Sequence, residues 1–186
     1  RSSPMWKTLT HLDPKANRLF ALVRDVQSLL NGEVVKARQY DHVSGLFLPQ
    51  EIRKSKDVIL VEGLHTLYPK QLLQVYDVSF FIEMEESLRL FFRSKRDIKE
   101  RGHSKEVVLS EVEKRKADGE KYIKPQSVRA DVVFTLLPIN IELFELDKVI
   151  DSNIKLRVSL RNGIYYQELV RILIGVCGLQ VNIESV

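Results

Sequence analysis

The sequence predicts an α/β domain built on a mainly parallel sheet. Three observations carry this. Tight apolar runs recur in KDVILVEGLH, DVSFFIEM and ADVVFTLLP, each bounded by polar residues. Segments with apolar residues at helical spacing separate them. Strands alternating with helices argue for parallel crossovers. The 186 residues are 44% hydrophobic and 29% charged, enough for an ordinary core in one domain or one domain with a small appendage.

Taken in order, Asp13-Pro14 reads as a helix start, with the aspartate as cap and proline in the first turn. Leu19, Leu22, Val23, Val26, Leu29 and Leu30 follow at helical spacing, and Asn31-Gly32 stops the helix. VVKARQYDHVSGLFL reads as two short strands or an extended loop. Val58 to Val61 reads as a buried strand with a polar end at Glu62-Gly63. PKQLLQVY is a short helix and DVSFFIEM a second buried strand. SLRLFFRSKRDIKERG is an amphipathic helix. Arg89, Arg93, Arg96, Asp97, Glu100 and Arg101 share one face, and Leu88, Phe91 and Ile98 point elsewhere. KEVVLSEVEKRKADGEKYI is a further helix, and ADVVFTLLP a third buried strand. After Pro138 the pattern changes: KLRVSLR alternates, YYQELVRILIGVCG is helical and LQVNIE alternates again. The expected division is residues 1–150 as the main domain and 151–186 as a small β-α-β element.

The net charge of +4 is local. Residues 93–116 hold nine Lys/Arg and five Asp/Glu, which accounts for the whole excess. A compact basic patch suits a small anionic ligand better than nucleic acid, which needs a broad basic face. No run approaches the roughly 20 apolar residues of a membrane span. The single cysteine, Cys177, forms no internal disulfide and suits a reducing, cytoplasmic setting; it is expected to be a small buried hydrophobe.

Three stretches could carry chemistry. Glu62 ends an apolar strand, where open α/β sheets bind ligands, so it is a candidate for Mg²⁺ or simply a solvent-facing glutamate. The Arg93–Asp97–Arg101 ladder is either a solvated helix face or a set of forks for phosphate, with Gly102 as a hinge. YDHVSG groups Tyr40, Asp41, His42 and Ser44 for gripping hydroxyls, or forms a turn at Ser44-Gly45. His42, His65 and His103 lack helix-type metal spacing and a cysteine partner, which argues against zinc.

Together, VILVEGLHTLY, RSKRDIKERGHS and KYIKPQSVRADVVFTLLP resemble the phosphoribulokinase/uridine kinase family. LDPKAN and YDHVSGLFLP strengthen the match and lean towards the phosphoribulokinase side. The resemblance covers about residues 9–140. It implies part of a P-loop kinase fold with helices on both faces of the sheet. It also implies transfer of the γ-phosphoryl of ATP to a primary hydroxyl of a pentose phosphate or nucleoside, with Mg²⁺. By the resemblance Glu62 is on the metal side. Arg96 and Arg101 are lid arginines that neutralise the phosphates, Asp97 is a catalytic-site carboxylate, and Tyr40, His42 and Arg93 are on the substrate side. Positioning and charge neutralisation are what such a reaction requires of a protein.

One departure is large: no GxxxxGK[ST] occurs in these 186 residues, nor the acidic motif that usually supplies the base. With Arg1 as first residue, the expectation is the C-terminal portion of a kinase, inactive by itself. The alternative is a non-catalytic binding or regulatory module of the same family. Neither nucleic acid nor a membrane is expected as a partner, and pairing through the C-terminal strands leaves a homo-oligomer open.

Overall fold

A computed structural model describes residues 9–39, 41, 46–140, 154–161 and 165–183. It has the α/β architecture expected, with a partly parallel sheet. The chain divides into two compact units. One contains the described residues within Arg1–Asp77 and Glu106–Arg129, the other those within Val78–Lys105 and Ala130–Val186.

In the first unit, Asp13 caps only a short 3₁₀ turn, Pro14–Ala16, by accepting the Lys15 N–H. Asn17 then interrupts the chain. It is extended, and its side-chain amide donates to the His11 and Asp13 carbonyls. Helix α1 therefore starts later than the Asp-Pro pair suggests, at Leu19, and runs to Leu30. Gly32, at φ 79°, ends it in the left-handed conformation that glycine adopts without strain. Strands β1 (Val34–Ala37) and β2 (Glu51–Lys54) pair antiparallel, with Val34 opposite Lys54 and Ala37 opposite Glu51.

Residues 58–61 correct the sequence reading. They form no strand, and Leu60 is 84% exposed. An apolar run becomes a strand only beside a partner that takes its N–H and C=O groups, and no described strand lies alongside it. The turn after Glu62 leads to helix α2 (Lys70–Leu73), whose Leu72 is fully buried and contributes about 1.5–3 kcal/mol. Helix α4 (Lys105–Asp118) passes into a π-helical turn, Gly119–Ile123, and then a 3₁₀ stretch, Lys124–Arg129. Val26, Val35, Leu67, Leu72 and Val108 are the buried apolar residues of this unit.

In the second unit, β3 (Phe80–Met84) and β4 (Val132–Pro138) pair parallel, with Phe80 opposite Val132. Strand β5 (Ile154–Leu160) joins the other side of β4 antiparallel. The first turn of the sheet is clasped by Asp131, which accepts from both the N–H and the hydroxyl of Ser79 (2.8 and 2.7 Å). β3 is a strand as expected but is not buried, since Ile82 is 72% exposed. Its one described ladder neighbour is β4, so Phe80 shields its face only by stacking on Phe134 at 5.9 Å. Helix α3 (Glu86–Lys99) packs against β4, and Leu88 and Phe91 are its buried apolar residues. Helix α5 (Gln167–Gly175) has no buried residue, and Cys177 beyond it is exposed rather than buried. Leu179–Ile183 carry no strand.

Candidate functional site

Glu62 lies in the first unit at the mouth of a cleft of about 230 Å³, lined with Asn17, Arg18, Leu22, His65 and Thr66 among others. The cleft exists because two local features converge. Asn17 breaks the chain before α1, and Gly63, at φ 150°, turns it sharply after Glu62. The Glu62 side chain is exposed and makes no ion pair with another described residue. His65 is buried with its ring edge-on to Tyr68 at 5.9 Å, and Tyr68 in turn meets Tyr122. Burial pushes the His65 pKa down, against the His11 carbonyl and the charge of Asp13, which favour the protonated ring.

Whether these residues fit a divalent cation is decided by the donor set. No cluster of three or more His, Cys, Asp or Glu suited to a metal forms among the described residues. Among the described residues no zinc or calcium cage is built. Mg²⁺ asks for less, one or two carboxylates with water and phosphate oxygens filling the rest. An exposed, uncommitted carboxylate in a cleft meets that demand.

The second unit holds Asp97. Its carboxylate accepts from Arg96 Nε at 2.9 Å and Arg101 Nη1 at 3.1 Å, and Arg93 Nε lies 3.5 Å from its other oxygen. The carboxylate at the centre of this helix face is withdrawn from solvent. Asp97 is only 5% exposed, whereas Arg96 and Arg101 have side chains 47% and 54% exposed. Burial recurs at Leu88, Phe91, Ser94 and Asp97. A step of three residues in a 3.6-residue turn makes that stripe wind round the helix, so Asp97 ends about opposite Leu88, under its own arginines. Burial alone would raise the Asp97 pKa. The Arg96 hydrogen bond and the charges of Arg96, Arg101 and Arg93 outweigh it and hold the carboxyl below the usual range. At the end of the helix Gly102 sits at φ 68°, and the His103 N–H donates to the Asp97 carbonyl at 3.0 Å.

Of the residues singled out in the sequence, Arg93, Arg96, Asp97 and Arg101 are brought together in one cluster, and Glu62 lines its cleft. Tyr40 and His42 lie outside the described residues. Sequence reasoning missed Asn17, Arg18, Gln126 and Arg129. Asn17 stands in the LDPKAN stretch and Gln126 and Arg129 in KYIKPQSVRADVVFTLLP, but no role followed from either motif; Gln126 and Arg129 act across some 60 residues.

The fold is that of a known kinase. A phosphoribulokinase from Rhodobacter spheroides matches with a TM-score of 0.70 at 20% identity, covering 89% of this chain and 64% of that one. The chain belongs to the Phosphoribulokinase / Uridine kinase family, whose sequence model matches residues 2–141. It is 38% identical over 130 residues to the chloroplastic phosphoribulokinase of Spinacia oleracea, covering 70% of this chain and 32% of that protein. It is 32% identical over 114 residues to a uridine kinase of Staphylococcus haemolyticus, covering 60% and 55% respectively. The chain therefore spans about a third of the spinach enzyme's length. No helix of the described residues is long and apolar enough to cross a membrane.

Proposed function

We propose that this chain is the lid-bearing portion of an ATP-dependent kinase that phosphorylates a primary hydroxyl of a pentose phosphate. The observation that carries the reading is the buried Asp97 holding three arginines, two of them half-exposed. Cations parked on a carboxylate are ordered before the substrate arrives, and Arg96 and Arg101 can exchange Asp97 for phosphate oxygens at little reorganisation cost. Asp97, released from part of its charge load, is then available to the acceptor, and the family resemblance supports Arg93, Tyr40 and His42 as acceptor-binding residues. Glu62 would hold the divalent cation. When bound, that cation neutralises phosphate charge and orients the nucleotide. The likeness to phosphoribulokinases supports the pentose phosphate; uridine is the second acceptor, supported by the uridine kinase relative. In this reading residues 1–150 are the kinase portion and 151–186 a small C-terminal element.

The test is kinetic, in the full-length protein with ribulose 5-phosphate and uridine as acceptors. Glu62→Gln should lower kcat more than it raises the acceptor KM, because shape is kept and charge is lost. Arg96→Ala should reduce kcat/KM on the order of 10²-fold. Normal kinetics for both variants would overturn the proposal. No turnover of either acceptor by the full-length protein would favour a non-catalytic module, the reading suggested by the lack of GxxxxGK[ST] here.

A further inference from the structure

The turn that follows Glu62 has no ladder of its own, yet its carbonyls are held one by one. The side-chain amide nitrogen of Gln126 donates to the Leu64 carbonyl at 2.9 Å and to the Tyr122 carbonyl at 2.8 Å. Arg129 Nη1 donates to the Leu67 and Tyr68 carbonyls at 3.1 and 3.0 Å. The Tyr76 hydroxyl donates to the Thr66 carbonyl at 3.1 Å. Gln126 is buried, and both hydrogens of its amide are used. The Thr66 hydroxyl holds the Gly63 carbonyl from within the turn at 3.4 Å, and Gln126 Nε2 on the Leu64 carbonyl is the tie from outside the turn nearest in sequence to Glu62, two residues on.

We infer that Gln126 is a positioning residue for the Glu62 carboxylate, with Arg129 as its support further along the same turn. The inference rests on the reading of Glu62 as the cation-side carboxylate. Its chemistry is specific. A primary amide offers two N–H donors from one uncharged nitrogen, which suits two converging carbonyls. Glutamate at this position would set an anion against both carbonyl oxygens, and methionine would leave both without a donor in a buried place. Local structure delivers the amide: the π turn Gly119–Ile123 breaks the α4 register just before Gln126, which lies in the 3₁₀ stretch that follows. Such π turns are frequent at functional sites. The Glu62 loop is therefore set by a segment 62 residues away in sequence.

The experiment uses the full-length protein and Mn²⁺ as the probe. Mn²⁺ affinity in the presence of ATP is read by electron paramagnetic resonance, and Mg²⁺ demand by kinetics. Gln126→Met should weaken Mn²⁺ binding about tenfold and raise the half-saturating Mg²⁺ by a similar factor, as losses of groups that orient metal ligands do. The acceptor KM should stay within about twofold, because the variant alters the cation side alone. Amide exchange of residues 63–68 should quicken while that of α1 stays as in wild type. If Gln126→Met does not fold, Arg129→Lys keeps the charge but, being shorter, draws its nitrogen back from the Leu67 and Tyr68 carbonyls, and should weaken Mn²⁺ binding about threefold. Mn²⁺ affinity unchanged in the folded variant would overturn the inference. Glu62→Gln is run alongside. Unchanged Mn²⁺ affinity in that variant would bring down the metal reading and this inference with it. Weakened binding there, with Gln126→Met and Arg129→Lys both normal, would bring down the positioning role alone.

Discussion

Asp97 shows how much one carboxylate can organise. Its folded-state pKa lies below the ordinary value of about 4, so protonation opposes folding. The stabilisation it gives is fully present above about pH 5 and is lost as pH falls below about 4 through the folded value. Asp97→Asn should therefore lower stability by about 1–3 kcal/mol at pH 7, a figure kept low because two of its partners are half-exposed. Thermal melts of variant and wild type should differ most at neutral pH and converge towards pH 3. A gap that stays constant across that range would remove the ion cluster as its cause. The residue was legible in the sequence as part of an Arg-rich ladder with the right spacing. Its burial was not, because burial came from arginines folding over it, a choice of rotamer that no periodicity encodes. Gln126 was less legible still. A glutamine in a charged helical stretch looks like surface, and its partner carbonyl stands 62 residues away.

At the scale of elements, α3 depends on how it begins. Glu85 accepts the Ser87 N–H at 2.9 Å and the Leu88 N–H at 3.4 Å, and also the Ser87 hydroxyl. The Ser87 hydroxyl, more than the backbone donors and against some burial, holds the Glu85 carboxyl below its usual range. This cap sits one strand-end from the sheet, since the Glu85 N–H donates to the Leu136 carbonyl at 2.9 Å. Glu85→Ala should cost about 1 kcal/mol, the usual loss for a missing N-cap, while Glu85→Asp should retain most of it. Urea melts of the two variants check this, and no loss in Glu85→Ala would show that the cap contributes nothing. Sequence patterning served the elements unevenly. α1 and α3 were readable from helical spacing, β4 from its apolar run and β5 from its alternation. Residues 58–61 misled because an apolar run specifies what a segment avoids, not which strand it lies against. The π turn after α4 was invisible, since KADGEKYI continues a helical composition while its hydrogen bonds change register.

For the whole chain, the proposed reaction needs more than the proposed lid and cation-side carboxylate. Cradling the β- and γ-phosphates is the work of GxxxxGK[ST], which these 186 residues do not contain. The 186-residue chain alone should phosphorylate neither ribulose 5-phosphate nor uridine at a rate distinguishable from background. A coupled ATP-consumption assay decides it, and turnover at rates of about 1–100 s⁻¹, usual for kinases, would refute the expectation.

The two compact units also impose an order on synthesis. The first is completed by Glu106–Arg129, and the second opens at Val78 but resumes only at Ala130. The units are interleaved along the chain, so the ribosome begins the second before it has finished the first. Phe80 must wait until Val132 has emerged before the parallel ladder can close, across a loop of about fifty residues. During that interval the apolar side chains of β3 are exposed and unpaired, the condition in which a nascent chain is most open to chaperones and most prone to aggregate.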